Sequence, residues 1–190
     1  MLRLRGAPVG ALLVFCAAAS AGAQDISGRA REAEGFAAQG KFIEAIAALD
    51  DASTALWDKA PLTFRKALWV AEAPAGFGAY NPRETNIYAS GAEMLAYIEP
   101  VGFGWRRSGD VWRTDLAADL VVKAKDGTEL FRQDDFEKLQ ISSRVRNREF
   151  MARFTYTLTG IPAGEYMIDT ILRDAVTGKS GTVSLPIVVR

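Results

Sequence analysis

A chain with no histidine and a single cysteine, Cys16, has few ways to do chemistry. Losing histidine removes the usual general base near neutral pH, the Ser-His-Asp arrangement and the commonest transition-metal ligand. A zinc site would have to rest on carboxylates alone, against the usual preference of that ion for nitrogen and sulfur. Carboxylate pairs are what remain. Asp134, Asp135 and Glu137 cluster after an expected strand, and Asp115 and Asp119 stand four apart, an even offset that places both on one strand face. A glycosidase sets two such carboxylates across a sugar and keeps one of them protonated. Acidic residues at strand ends are far more often solvated, so no catalytic residue is assigned. Asp134, Asp135 and Glu137 also lack the alternating acids and central glycine of a calcium loop. Gly102, Gly104 and Gly109 come without the lysine and helix of a phosphate-binding loop. Neither a metal nor a cofactor is expected.

The most unusual composition lies between Gly102 and Arg113, where Trp105, Arg106, Arg107 and Trp112 share a glycine-flanked turn. Large rigid rings and planar guanidinium groups dominate binding hot spots because they yield much contact per immobilised bond. These four residues are the candidate contact site for a protein or envelope glycan. The competing reading has one tryptophan plugging the end of a core while the arginines stack on it. A second basic group, Arg144, Arg146 and Arg148, shares the parity of the apolar face that begins at Phe150. Burying three guanidinium groups would be prohibitive without partners, so the strand is expected to start near Glu149 and the arginines to lie on a loop.

The N-terminus bears on where such contacts occur. Arg3 and Arg5 precede an apolar stretch including Leu12, Leu13, Val14 and Phe15, which closes on Ala21, Gly22 and Ala23. That order is expected of a secretory signal over residues 1–23, cleaved before Gln24. The stretch is short for a bilayer of ~30 Å, so no transmembrane segment is expected in the mature chain. Cys16 leaves with the signal, because the bulky Phe15 before it does not resemble a lipoprotein signal. The mature protein then has no thiol in a compartment that permits disulfides. Removing 23 of the 190 residues leaves one ordinary domain, and taking Arg3 and Arg5 from 23 basic against 23 acidic residues leaves a net charge of −2. Without clustered positive charge, nucleic acid is not an expected partner.

Residues 24–60 are helical in pattern. Ala30, Ala33, Phe36 and Ala37 form a narrow stripe on a first helix, and Phe42, Ala45, Ile46, Leu49, Ser53 and Leu56 form one on a second. Gly40 is placed to end the first. The hairpin resembles a tetratricopeptide repeat unit at Ala33, Phe36, Gly40, Phe42, Ala45, Leu49 and Ala52, without that motif's early Trp and closing Pro. A single repeat cannot bury its own apolar face.

Residues 61–190 change to period two. Strands are expected at 62–71, at 94–100, over Leu116, Ala118, Leu120 and Val122, and at 128–133 after the Asp126-Gly127 turn. Others follow over Phe150, Ala152, Phe154, Tyr156 and Leu158, then Tyr166, Ile168, Thr170 and Leu172, then Val183, Leu185, Ile187 and Val189. Pro186 cannot donate to a ladder, so the last strand should lie at an edge or carry a bulge. About seven strands with regular turns argue for an antiparallel two-sheet sandwich. Pro162-Ala163-Gly164-Glu165-Tyr166, Asp174, Gly178-Lys179 and the closing alternation resemble the end of an immunoglobulin-like or fibronectin-III-like module. That resemblance implies that the Tyr166 hydroxyl ties to nearby backbone, and it transfers no activity.

The chain is thus expected to be mostly β with an N-terminal helical hairpin, on an immunoglobulin-like sandwich. Its expected role is a non-enzymatic, exported, periplasmic or extracellular binding or assembly module. The alternative is a carboxylate-dependent envelope enzyme such as a glycan hydrolase.

Overall fold

The computed structural model describes residues 20–190. Most of the segment read as a signal, Cys16 included, lies outside the described residues; only 20–23 enter the first helix. Two helices, α1 (Ser20–Ala38) and α2 (Phe42–Lys59), precede eleven strands. These are β1 (Thr63–Val70), β2 (Ile87–Tyr88), β3 (Glu93–Val101), β4 (Arg106–Ser108), β5 (Val111–Arg113), β6 (Leu116–Ala124), β7 (Glu129–Leu139), β8 (Ser142–Ser143), β9 (Ala152–Thr157), β10 (Gly164–Asp174) and β11 (Ser180–Val189). The described chain divides into two compact units, one ending at Ala55 and one spanning Leu56–Arg190. Among the described residues no helix is long and apolar enough to cross a membrane.

In the first unit, α1 ends as its glycine demands. The Gly40 amide donates to the Ala37 carbonyl and the Lys41 amide to the Phe36 carbonyl, both at 3.0 Å, which satisfies carbonyls that the helix end would orphan. The hairpin closes on small residues: Ala33, Ala45 and Ala48 are buried with Phe36 against them. The expected stripe on α2 is therefore divided. Ala45 turns inward, whereas Phe42, Ile46 and Leu49 are exposed, because helices that approach on alanine leave no room at the seam for large side chains.

The second unit begins inside α2, because Trp57 is built into its core: the ring meets Phe103 edge-on at 5.2 Å and Nε1 donates to the Phe103 carbonyl at 2.8 Å. Its strands form a three-stranded sheet in the order β1-β3-β9, a five-stranded sheet in the order β2-β11-β10-β6-β7, and a small sheet β4-β5-β8. One buried cluster draws on the two larger sheets, with Trp69, Met94, Ile98, Phe154 and Tyr156 from the first and Leu116, Leu120, Val122, Ile168, Leu172 and Ile187 from the second. The expected alternations in β6, β9, β10 and β11 each supply one side of that cluster. Pro186, opposite Met167, turns its carbonyl to Trp69 Nε1 at 2.9 Å and to Asn86 Nδ2 at 3.2 Å. Only the last two residues of β11 meet the two-residue β2, so the proline sits where no ladder asks for its missing donor.

The Asp126-Gly127 turn joins β6 to β7, with Gly127 at φ 89° and the Asp126 carboxylate accepting from the Thr128 amide at 2.9 Å. The returning strand runs past the expected end at Gln133 to Leu139, because its register shifts between Ala118 and Leu120 absorb Asp134 and Asp135 as a bulge. Asp135 is the one non-glycine residue with positive φ among the described residues, at 50°.

Candidate functional site

The expected contact loop is split by the fold. Trp105 is buried at 8% exposure and packs on Phe103 at 5.7 Å. Arg106 and Arg107 lie exposed on β4, and Trp112 is half-buried on β5, where Arg107 pairs with it across the ladder. The Arg107 and Arg146 guanidinium groups stand 5.5 and 4.6 Å from the Trp112 ring, and Arg146 also meets the Asp58 carboxylate at 3.1 Å. Stacked in this way, Trp112 is a surface ring already occupied by two of the chain's own cations. Arg144, Arg146 and Arg148 fall outside any strand, as their parity requires, although Arg146 is balanced by Asp58 rather than by the acids of β7.

The glycines around Trp105 explain why that segment is not a free loop. A Cβ at Gly102 would collide with the Pro61 carbonyl oxygen, and one at Gly104 with the Thr177 side chain. Buried Asp174 accepts from the Gly104 amide at 2.7 Å and from the Val176 amide at 2.9 Å, and also from the Thr177 hydroxyl. The Lys179 ammonium donates to the carbonyls of Gly102 and Asp58, each at 2.9 Å, which sets a cation at the C-terminal turn of α2.

Two of the five candidate carboxylates, Asp119 and Asp135, form a brace. Arg173 grips Asp119 with two hydrogen bonds of 2.8 Å and Asp135 with one of 2.7 Å, while the Asp135 amide donates to Asp119 Oδ1 at 2.9 Å. These bonds, the guanidinium first, hold the buried Asp119 carboxyl below its ordinary range, opposite in direction to the raised value a proton-donating acid needs. Asp115 accepts from Gln140 at 3.1 Å, and Asp134 lies 3.7 Å from Arg132.

On the other face of the same bulge the brace has a consequence. Locking Asp135 against Asp119 turns Phe136 inward, where it stacks on Tyr156 at 5.5 Å with the rings 8° from parallel. Beside this stack lies an open cleft of about 470 Å³, lined by Leu120 and Val122 of β6, Leu130, Phe131, Gln133 and Phe136 of β7, Tyr156 and Thr157 of β9, and 158–162 beyond it. Leu130 and Phe131 are about half exposed, at 52% and 49%. Among the described residues no charged side chain lines the cleft. Its one titratable group, Tyr156, is pushed above the ordinary tyrosine range by burial, and its hydroxyl shares a 2.6 Å hydrogen bond with Thr170. The outer wall is fixed by Tyr166, whose hydroxyl donates to the Pro162 carbonyl at 2.8 Å, the backbone tie its position implied.

Such a cleft can hold an apolar group beside the neutral polar side chains of Gln133, Thr157 and Thr159. Residue by residue its strands were legible, since Phe154, Tyr156, Leu120 and Val122 belong to recognised alternations. Phe131 and Phe136 were not, because Phe136 reaches the same space only through a bulge held by Arg173, 37 residues further along the chain.

No family model and no curated protein matches the chain. Among solved structures it is similar to the C-terminal domain of Wzt, with 11% identity over 70% of this chain and 76% of that one, at a TM-score of 0.39. It is similar also to the Pseudomonas fluorescens alkylpurine DNA glycosylase AlkC bound to DNA containing an abasic site analog, with 7% identity over 80% of this chain and 38% of that one, at 0.39. A third is Spo0M, a sporulation control protein from Bacillus subtilis, with 15% identity over 69% and 50% of the two chains, at 0.32.

Proposed function

We propose that this chain is an exported, non-enzymatic binding or assembly module whose second unit is an immunoglobulin-like two-sheet sandwich and whose contact surface is the cleft beside β7 and β9. The observation that carries this reading is the cleft's chemistry: about 470 Å³ of space walled mainly by Leu, Val, Phe, Tyr, Ile and Pro, with Gln133, Thr157 and Thr159 as neutral polar groups and no charged group among its lining residues. Its volume falls in the range of specific ligand sites, and its half-exposed Leu130 and Phe131 lose water when it fills. Export rests on the charged, apolar and small-residue order of residues 1–23. The shared core of the two larger sheets and the Tyr166 tie support the sandwich.

The test is site-specific photo-crosslinking in the producing cell, with the photoreactive residue at position 131 in one variant and 107 in another, followed by fractionation. Adducts are expected from position 131, in the exported fraction, on a chain that begins at Gln24. Adducts from 107 alone would return the contact surface to the Trp112 stack. A chain retained in the cytoplasm with its N-terminus intact would end the export reading.

A further inference from the structure

The sheets are unequal, and the inequality sits at the cleft. The β1-β3-β9 sheet has three strands and its companion five, and β9 and β7 are the terminal strands that meet there. The first sheet is short of a strand opposite β7, and the uncovered inner face of β7 carries Phe131, paired with Val122 of the core. Consecutive residues of a strand point to opposite faces, so a cleft lined by both Tyr156 and Thr157 reaches round the backbone edge of β9 itself.

The two edges are prepared differently. In β7, six of 11 side chains are charged and the Asp135 bulge breaks the ladder, two devices that keep an edge from recruiting another strand. In β9, residues 152–157, Arg153 is the only charge, no register shift interrupts its pairing with β3, and Thr155 and Thr157 are strand-favouring outward residues. Among the described residues it has no strand neighbour beyond β3.

We infer that the cleft takes an extended polypeptide segment of a protein partner, which adds a fourth strand to the β1-β3-β9 sheet along the free edge of β9 and lays alternate apolar side chains over Phe131 and Phe136. This deepens the binding-module reading and rests on it. Main-chain hydrogen bonds to β9 supply affinity, and the apolar cleft selects segments of period two. An acyl chain would fill the volume but leave the backbone groups of β9 unused; in a second copy paired edge to edge, the apolar face of its β9, Ala152, Phe154 and Tyr156, is already buried in its own core and cannot enter the cleft.

The experiment uses the mature chain from Gln24 and three ten-residue synthetic probes: one alternating leucine and valine with threonine, an isomer of the same composition with its apolar residues in one block, and a copy of the first N-methylated at alternate backbone nitrogens. Palmitate is the fourth probe. Saturable binding of the alternating peptide is expected, at least tenfold tighter than the block isomer and the N-methylated copy, with slowed amide exchange within residues 152–157. Phe131→Asp should weaken that binding at least tenfold at an unchanged melting temperature. Equal binding of the N-methylated copy, or no binding of the alternating peptide, overturns the strand proposal. So does palmitate bound without protection of β9, or a concentration-dependent dimer that protects β9 alone. The palmitate result would leave the binding module standing. No ligand at all, together with no crosslink from position 131, would sink both.

Discussion

Two aromatic regions of the second unit begin from similar residues and end differently. At the Phe103–Trp105 end, rings, glycines and backbone are held by polar anchors, the buried Trp57 on the Phe103 carbonyl and Asp174 on the Gly104 amide, and the half-buried Lys179 on the Gly102 carbonyl. At the β7–β9 cleft, Phe131, Phe136 and Tyr156 also gather rings, yet Phe131 stands half exposed and none of the lining residues bears a charge. Aromatic density therefore does not distinguish an open cleft from a core. The difference lies in whether the backbone between the rings is spent on internal partners or left at an open edge.

Substitutions should separate the two regions most sharply in stability. Trp105→Ala removes a buried ring and should cost about 3–5 kcal/mol of unfolding free energy in a denaturant titration. A cost below about 1 kcal/mol would show that this end is not a core. Asp174→Ala leaves the Gly104 and Val176 amides without their acceptor, at about 1–3 kcal/mol. The predicted loss is the same in high salt, because these are buried bonds to backbone rather than surface ion pairs.

The brace behind the cleft gives a smaller effect with a pH signature. Because the folded-state pKa of Asp119 is depressed, its contribution is fully present above the unfolded value of ~3.9 and disappears as pH falls below about 4 toward the folded value. Asp119→Asn should cost about 1–2 kcal/mol at neutral pH and flatten stability against pH in that acid range. An unchanged acid limb would remove Asp119 from the account. The smallest effect is expected at the cleft itself: Phe131→Ser should alter unfolding free energy by no more than about 0.5 kcal/mol, since the ring is only half covered. A large loss there would make the cleft part of the core and erase the comparison.

Much of this was readable from local pattern. The hairpin, the Asp126-Gly127 turn and the inward faces of β6, β9, β10 and β11 follow from periods of 3.6 and 2, which are properties of neighbouring residues. The brace was not readable. In the sequence Asp119 stands with Asp115, and Asp135 with Asp134 and Glu137, as possible acids; only Arg173, distant in sequence and adjacent through the β6–β10 ladder, clamps Asp119 and Asp135 together. The end of β7 lies beyond the reach of local pattern for a related reason, since paired aspartates break an alternation that a bulge can carry through.

By itself the sequence determined the helical hairpin and the seven longer strands, but not the short β2, β4, β5 and β8, together with the absence of histidine chemistry and the charged-apolar-small order at the N-terminus. Which apolar face remains uncovered was decided only by tertiary structure. An inward-facing phenylalanine has the same local pattern whether or not a strand lies over it. Its exposure depends on strand order, on a three-stranded sheet meeting a five-stranded one, and on a guanidinium that fixes a bulge from another strand.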